Sequence, residues 1–179
     1  MELLETKVDS REIYRGKIIT VHVDTVRLPD GKETRREVVE HPGGVGILAL
    51  DDQGRVAMVR QYRYPMGRVV REIPAGKREP GEEPSLTARR ELQEEVGATA
   101  GEWQDLGALL ASPGCYGETL YLYLARDLTL GAPRPDEDER LEVDWVPLEQ
   151  LVEECLDGTL QDAKTVAAIL KVQLLLSKK

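Results

Sequence analysis

The chain has 179 residues, 41% hydrophobic and 32% charged, with a net charge of −9. That length suffices for one domain with a sizeable core, and the acidic balance argues against nucleic acid and anionic membrane as partners. Cys115, Cys155, His22 and His41 have no metal-ligand spacing, so they read as reduced thiols and ordinary histidines rather than a zinc site.

The N-terminal residues are charged and carry no apolar signal core. Residues 17–28 are rich in β-branched side chains and residues 33–40 follow as a second strand. Between them Pro29-Asp30-Gly31-Lys32 predicts a turn, because proline presets φ and glycine supplies φ > 0. This hairpin is too small to stand alone and must pack on the rest of the chain or on a second subunit. Residues 1–41 therefore form an N-terminal β segment, and 42–179 the main domain.

His41-Pro42-Gly43-Gly44 opens the central part. Residues 45–50 form an apolar run of the kind buried on both faces, and Asp51-Asp52-Gln53-Gly54 turns the chain into a strand over 55–62. A short strand over 69–73 enters Pro74-Ala75-Gly76. A helix is expected from about 84 to about 96, with Pro84 at its first position and Gly97 as its stop. Strands near 103–110, 118–125 and 141–146 follow, with a polar loop over 131–140. Helices over 147–156 and from 162 to about 177 close the chain, the second being the one long apolar tract. Lys164, Lys171 and Gln173 interrupt that tract, which excludes a membrane span there. The expected compartment is the cytoplasm. Strands with helices between and after them predict an α/β sandwich.

Chemistry concentrates in residues 76–98, GKREPGEEPSLTARRELQEEVGA. On an α-helix Glu91, Glu94 and Glu95 share one face, while Ala88, Leu92 and Val96 fall on an adjacent face suited to packing on a sheet. Glu94 and Glu95 also lie at the negative end of the helix dipole. A hard divalent cation relieves the dipole penalty and the mutual repulsion, and Mg²⁺ suits carboxylate oxygens. The same residues also permit an ordinary helix face in which Arg89 and Arg90 pair the glutamates.

The stretch resembles the Nudix box, G-x5-E-x7-R-E-U-x-E-E-x-G-U with U aliphatic. Gly76, Glu82, Arg90, Glu91, Glu94, Glu95 and Gly97 fill its seven fixed positions, with Leu92 and the small Ala98 at the aliphatic ones. The resemblance implies an α/β/α sandwich with a mixed β-sheet over roughly residues 42–179, in which the box forms loop–helix–loop. It implies Mg²⁺ (or Mn²⁺) held by Glu91 and Glu95, with Glu94 and the Ala75 carbonyl assisting. Glu94 and Glu95 are thereby placed among the catalytic residues, and Glu82 becomes a support for loop and arginine. The reaction it implies is attack of water on the diphosphate bridge of a nucleoside diphosphate derivative.

Further stretches are similar to the ADP-ribose pyrophosphatase subfamily: VRQYRYP (59–65), EIPAGK (72–77), Pro113 sixteen residues beyond Gly97, Glu118, and the acidic run 136–139. Alone, Pro113 reads equally well as a loop proline, and the acidic run as a solvated turn. The subfamily resemblance implies hydrolysis of ADP-ribose to AMP and ribose 5-phosphate, by a homodimer that exchanges its N-terminal β-segments. It makes Arg36 and Arg63 candidates for the phosphates or terminal ribose, Ile18 and Ile19 for packing on the adenine, and Glu118 for the ribose or a water. Glu139, with Glu137 as fallback, becomes the loop base. The alternatives are another nucleoside diphosphate sugar such as GDP-mannose, or a module that binds ADP-ribose without cleaving it.

Overall fold

The computed structural model describes residues 3–134 and 140–178. The chain forms two compact units, one of residues 1–43 with 110–119 and the other of 44–109 with 120–179.

In the first unit β1 (Thr6–Arg15), β2 (Thr20–Arg27) and β3 (Glu33–Glu40) form an antiparallel meander. The expected hairpin is present, from Thr20↔Glu40 to Arg27↔Glu33. At its turn the Gly31 N–H donates to the Leu28 carbonyl at 2.9 Å, with Gly31 at φ 84°. What the sequence reading lacked is β1. Most of its residues are polar or charged, and no apolar alternation marks TKVDSREIYR as a strand. Cross-strand pairing to β2 makes it one, yet all ten of its residues are exposed.

The second unit is built on β4 (Gly44–Ala49), every residue of which is buried. β4 runs parallel to β9 (Tyr116–Leu130) from Gly44↔Leu120 to Ala49↔Ala125. It runs antiparallel to the short β7 (Ala75–Lys77), and β8 (Ala98–Ser112) pairs with β9. A separate antiparallel sheet has β5 (Arg55–Arg63) between β10 (Leu141–Pro147) and β6 (Arg68–Glu72).

Side chains alternate across β4, as a pleated strand requires. Leu48 joins Leu122, Leu124 and the apolar faces of α2 (Leu148–Leu156) and α3 (Ala163–Leu176) in one core. Val45, Ile47 and Ala49 face the other way, into a second core with Ala88, Leu92 and Val96. The unit is thus a helix–sheet–helix sandwich with a mixed sheet, the expected α/β class.

The helix over 84–96 is not uniform. α1 (Pro84–Glu91) is α-helical, and Leu92–Val96 continues it as a single wider π-helical turn that ends at Gly97, φ 71°. The buried positions then recur every fourth residue: Thr87, Glu91 and Glu95 form one row, and Ala88, Leu92 and Val96 the next. A uniform α-helix, at 3.6 residues per turn, would let those rows drift apart. Among the described residues no helix is long and apolar enough to cross a membrane.

Candidate active site

Four of the glutamates of residues 76–98 are held by their surroundings rather than left to solvent. Glu91 is 9% exposed and Glu95 3%. The Ala75 N–H donates to Glu95 Oε2 at 2.9 Å, fixing the carboxylate against the start of β7. Glu91 lies over Gly76 so closely that a Cβ there would fall 1.8 Å from its Cδ. Glycine is therefore required at position 76 because it leaves room for a carboxylate.

Arg90 organises the rest. Its Nη1 donates to Glu91 Oε1 at 2.7 Å and to Glu94 Oε2 at 2.8 Å. Its Nε and Nη2 reach Glu82 at 3.3 Å, and Nη2 also bonds the Lys77 carbonyl. Burial pulls the Arg90 pKa down, but the bonds from these carboxylates more than offset it and the net direction is up. Glu82 receives the Arg90 bonds and the Glu79 N–H, which hold its carboxyl at about 2. Arg78 donates to the Glu82 carbonyl, closing the loop ahead of α1. Arg89, the other candidate for pairing the glutamates, instead stacks over Trp103 at 4.8 Å.

Among the described residues no three His, Cys, Asp or Glu side chains form a ready metal cage. The donor set nevertheless fits a hard divalent cation. Glu91 and Glu95 occupy one buried row, Glu94 is joined to Glu91 through Arg90, and the lack of a Cβ at Gly76 opens the backbone beside them. Carboxylate oxygens with a neighbouring backbone carbonyl are magnesium-type ligands.

Arg63, at the end of β5, forks onto Glu72 through Nε (2.6 Å) and Nη2 (3.0 Å). The negative charge of Glu95 also raises the pKa of Arg63, so this arginine lies within electrostatic reach of the buried glutamate row. Sequence reasoning missed Glu72 and its second partner, Lys164. Lys164 had served only to argue against a membrane span.

The remaining candidates belong to the first unit. Arg36 on β3 is forked onto Glu5 at 2.7 and 3.0 Å, so its donors already have a carboxylate. Ile18 is half exposed and lines a cavity of about 490 Å³ with Thr20, Val38, Val39 and His41. Pro113 sits in the exposed turn between β8 and β9. Glu118 Oε1 is 3.3 Å from Nδ1 of the half-buried His41. That nitrogen also accepts the Gly43 N–H at 3.1 Å, which anchors the turn into β4. Glu139 and Glu137 lie outside the described residues.

Comparison with known proteins identifies the arrangement. The NUDIX domain profile matches residues 40–169, and the profile for the nucleoside diphosphate sugar hydrolase N-terminal domain matches residues 5–45. The chain belongs to the Nudix family. It is 44% identical to the ADP-ribose pyrophosphatase of Bacillus subtilis (strain 168), over 97% of this chain and 96% of that one. It is 40% identical to the ADP-ribose pyrophosphatase of Mycobacterium tuberculosis, over 92% and 81%. It is also 37% identical to the methanol dehydrogenase activator of Bacillus methanolicus, over 95% and 93%. The fold matches a crystal structure of an ADP compounds hydrolase with a TM-score of 0.86 at 24% identity, covering 99% of this chain and 97% of the other.

Two outcomes follow from this geometry. Gly76→Ala must push the Glu91 carboxylate off the β7 backbone; overpacking of this kind costs about 1–3 kcal/mol, read as a lower urea midpoint together with weaker divalent-ion binding. Glu82 binds fewer protons folded than unfolded between its ordinary 4.5 and about 2. The stability it supplies is therefore complete above about pH 4.5 and is lost as pH falls toward 2. Acid titration of the unfolding free energy should show a shallower decline over that window in Glu82→Gln than in the wild type.

Proposed function

We propose that this chain is a Mg²⁺-dependent ADP-ribose pyrophosphatase that converts ADP-ribose and water to AMP and ribose 5-phosphate. The observation that carries the reading is the buried carboxylate row of Glu91 and Glu95 beside the bare Gly76 backbone, in a Nudix chain whose 44% and 40% identical relatives bear that enzyme's name. Glu91, Glu95 and the Ala75 carbonyl would hold the metal, and Glu94 would assist. The chemistry supplied there, with an ion bound, would be neutralisation of non-bridging phosphate oxygens and a more acidic water. Arg90 keeps Glu91 and Glu94 at a fixed separation, and the Ala75 N–H keeps Glu95 oriented. Arg63 offers its guanidinium to a phosphate or the terminal ribose.

Glu139 is proposed as the base. A loop carboxylate fits that role because it can be brought to the water after substrate binds. Arg36, Ile18, Pro113 and Glu118 are proposed as substrate contacts supplied by the N-terminal β segment, the β8–β9 turn and the start of β9.

The protein is proposed to act as a homodimer that exchanges its N-terminal strands. The support is physical: Val8, Ile13 and Tyr14 on β1, with Leu3 and Leu4 before it, are 44–81% exposed on a strand with no core of its own. Light scattering should give twice the 20.0 kDa chain mass; a monomer at micromolar concentration would refute the exchange.

Incubation of pure protein with ADP-ribose and Mg²⁺ should yield AMP in equal amount with ribose 5-phosphate, and Mn²⁺ in parallel settles the working ion. Glu95→Gln should lower kcat by at least about 10²-fold while leaving the melting temperature within a few degrees. Full activity in that variant would falsify the metal assignment. GDP-mannose in the same assay tests the rival substrate.

A further inference from the structure

Beneath Arg63 lies a buried ionic cluster. Glu72 is 5% exposed and Lys164 8%. Lys164 Nζ lies 2.5 Å from Glu72 Oε2 and 3.0 Å from Asp162 Oδ1. Asp162 caps α3, accepting the Thr165 N–H at 3.0 Å and its hydroxyl at 2.5 Å. That same Thr165 hydroxyl oxygen accepts the Ile73 N–H at 2.9 Å, locking the start of α3 onto the end of β6. Glu72 therefore has two cations, one rooted in the helix and one, Arg63, at the rim of a cleft of about 360 Å³.

We propose that Lys164, acting through Glu72, is the positioning residue that makes Arg63 an anion ligand. The inference rests on the reading of Arg63 as a phosphate or ribose contact.

A buried carboxylate must keep a counter-ion. If Arg63 were the sole partner of Glu72, its charge would be cancelled by that carboxylate, and moving it toward a substrate would strand Glu72. Lys164 neutralises Glu72 independently, while the charge of Asp162 is spread over the Thr165 donors and the positive end of the α3 dipole. Arg63 is then not the sole counter-ion of Glu72, so it can turn toward an anion without stranding that carboxylate. The fork uses two of its five N–H donors, so Glu72 fixes the plane of the guanidinium while the remaining donors stay available. The burial and the second cation separate this pair from Arg36–Glu5, which is an exposed ion pair.

Five proteins test it: wild type, Lys164→Gln, Lys164→Arg, Arg63→Gln and the double variant Arg63→Gln with Lys164→Gln. The readouts are kcat, KM and melting temperature with ADP-ribose and Mg²⁺, and a calorimetric Kd for ADP-ribose in EDTA. Lys164→Gln should raise KM and Kd about tenfold, within the range of couplings between linked groups, and lower kcat by less than it raises KM. Lys164→Arg, which keeps the charge, should recover most of the loss, and Arg63→Gln combined with Lys164→Gln should be no worse in KM than Arg63→Gln alone.

Equal KM in Lys164→Gln and wild type, or additive effects in the double variant, overturns the positioning role while leaving Arg63 as a ligand. An unchanged KM in Arg63→Gln removes the underlying reading and this inference with it. If the double variant does not fold, the comparison of Lys164→Arg with Lys164→Gln decides: equal KM defects in the two mean that only packing was lost.

Discussion

One guanidinium makes this site possible. Two carboxylates about 4 Å apart repel by about 4 kcal/mol in a medium of effective dielectric 20. Arg90 bonds Glu82, Glu91 and Glu94 at once, and its single positive charge offsets only part of their repulsion. The surplus negative charge, with Glu95 buried on the Ala75 amide, is of the kind a divalent cation would offset. Remove the arginine and the same helix face becomes a cluster of uncompensated charges at the wrong end of a helix dipole.

The wider helical turn serves the same end. A carboxylate row and an aliphatic row both have to stay in register over two turns, one against Gly76 and the other in the core beneath β4. The π-helical turn at Leu92–Val96 gives a spacing of four, so Glu95 stays above Glu91 while Val96 stays above Leu92. Such turns are rare in soluble proteins and concentrate at functional sites, where a side chain has to be re-aimed.

The two arginines near the glutamates have opposite conditions. Arg90 is committed to its carboxylates on several sides. Arg63 has one forked carboxylate that a lysine also neutralises. The first arrangement suits a structural cation and the second a ligand for an anion. Burying Glu72 without both partners would be costly, since breaking a buried pair costs about 3–5 kcal/mol. The cluster is thus stable because Lys164 is anchored by the N-cap of α3.

Most of the central sandwich was legible in the residues. The apolar run of β4, the prolines and glycines between elements and the last two helices all fell close to where they stand, because local turn chemistry and hydrophobic period dictate them. The box was legible for a different reason: its fixed residue types at fixed spacing mark the Nudix family, and Glu91, Glu94 and Glu95 stand at three of those positions. β1 was not legible, because a strand that buries nothing has no apolar period and exists only through its ladder to β2. Nor was the ion cluster. Glu72 and Lys164 are 92 residues apart, and in sequence a buried lysine looks like any charge on a helix. The sequence alone determined the family chemistry and the architecture, since both reside in local patterns. Which cation each glutamate keeps, and why position 76 tolerates only glycine, depended on β7, α1 and α3 meeting in space, which no local pattern encodes.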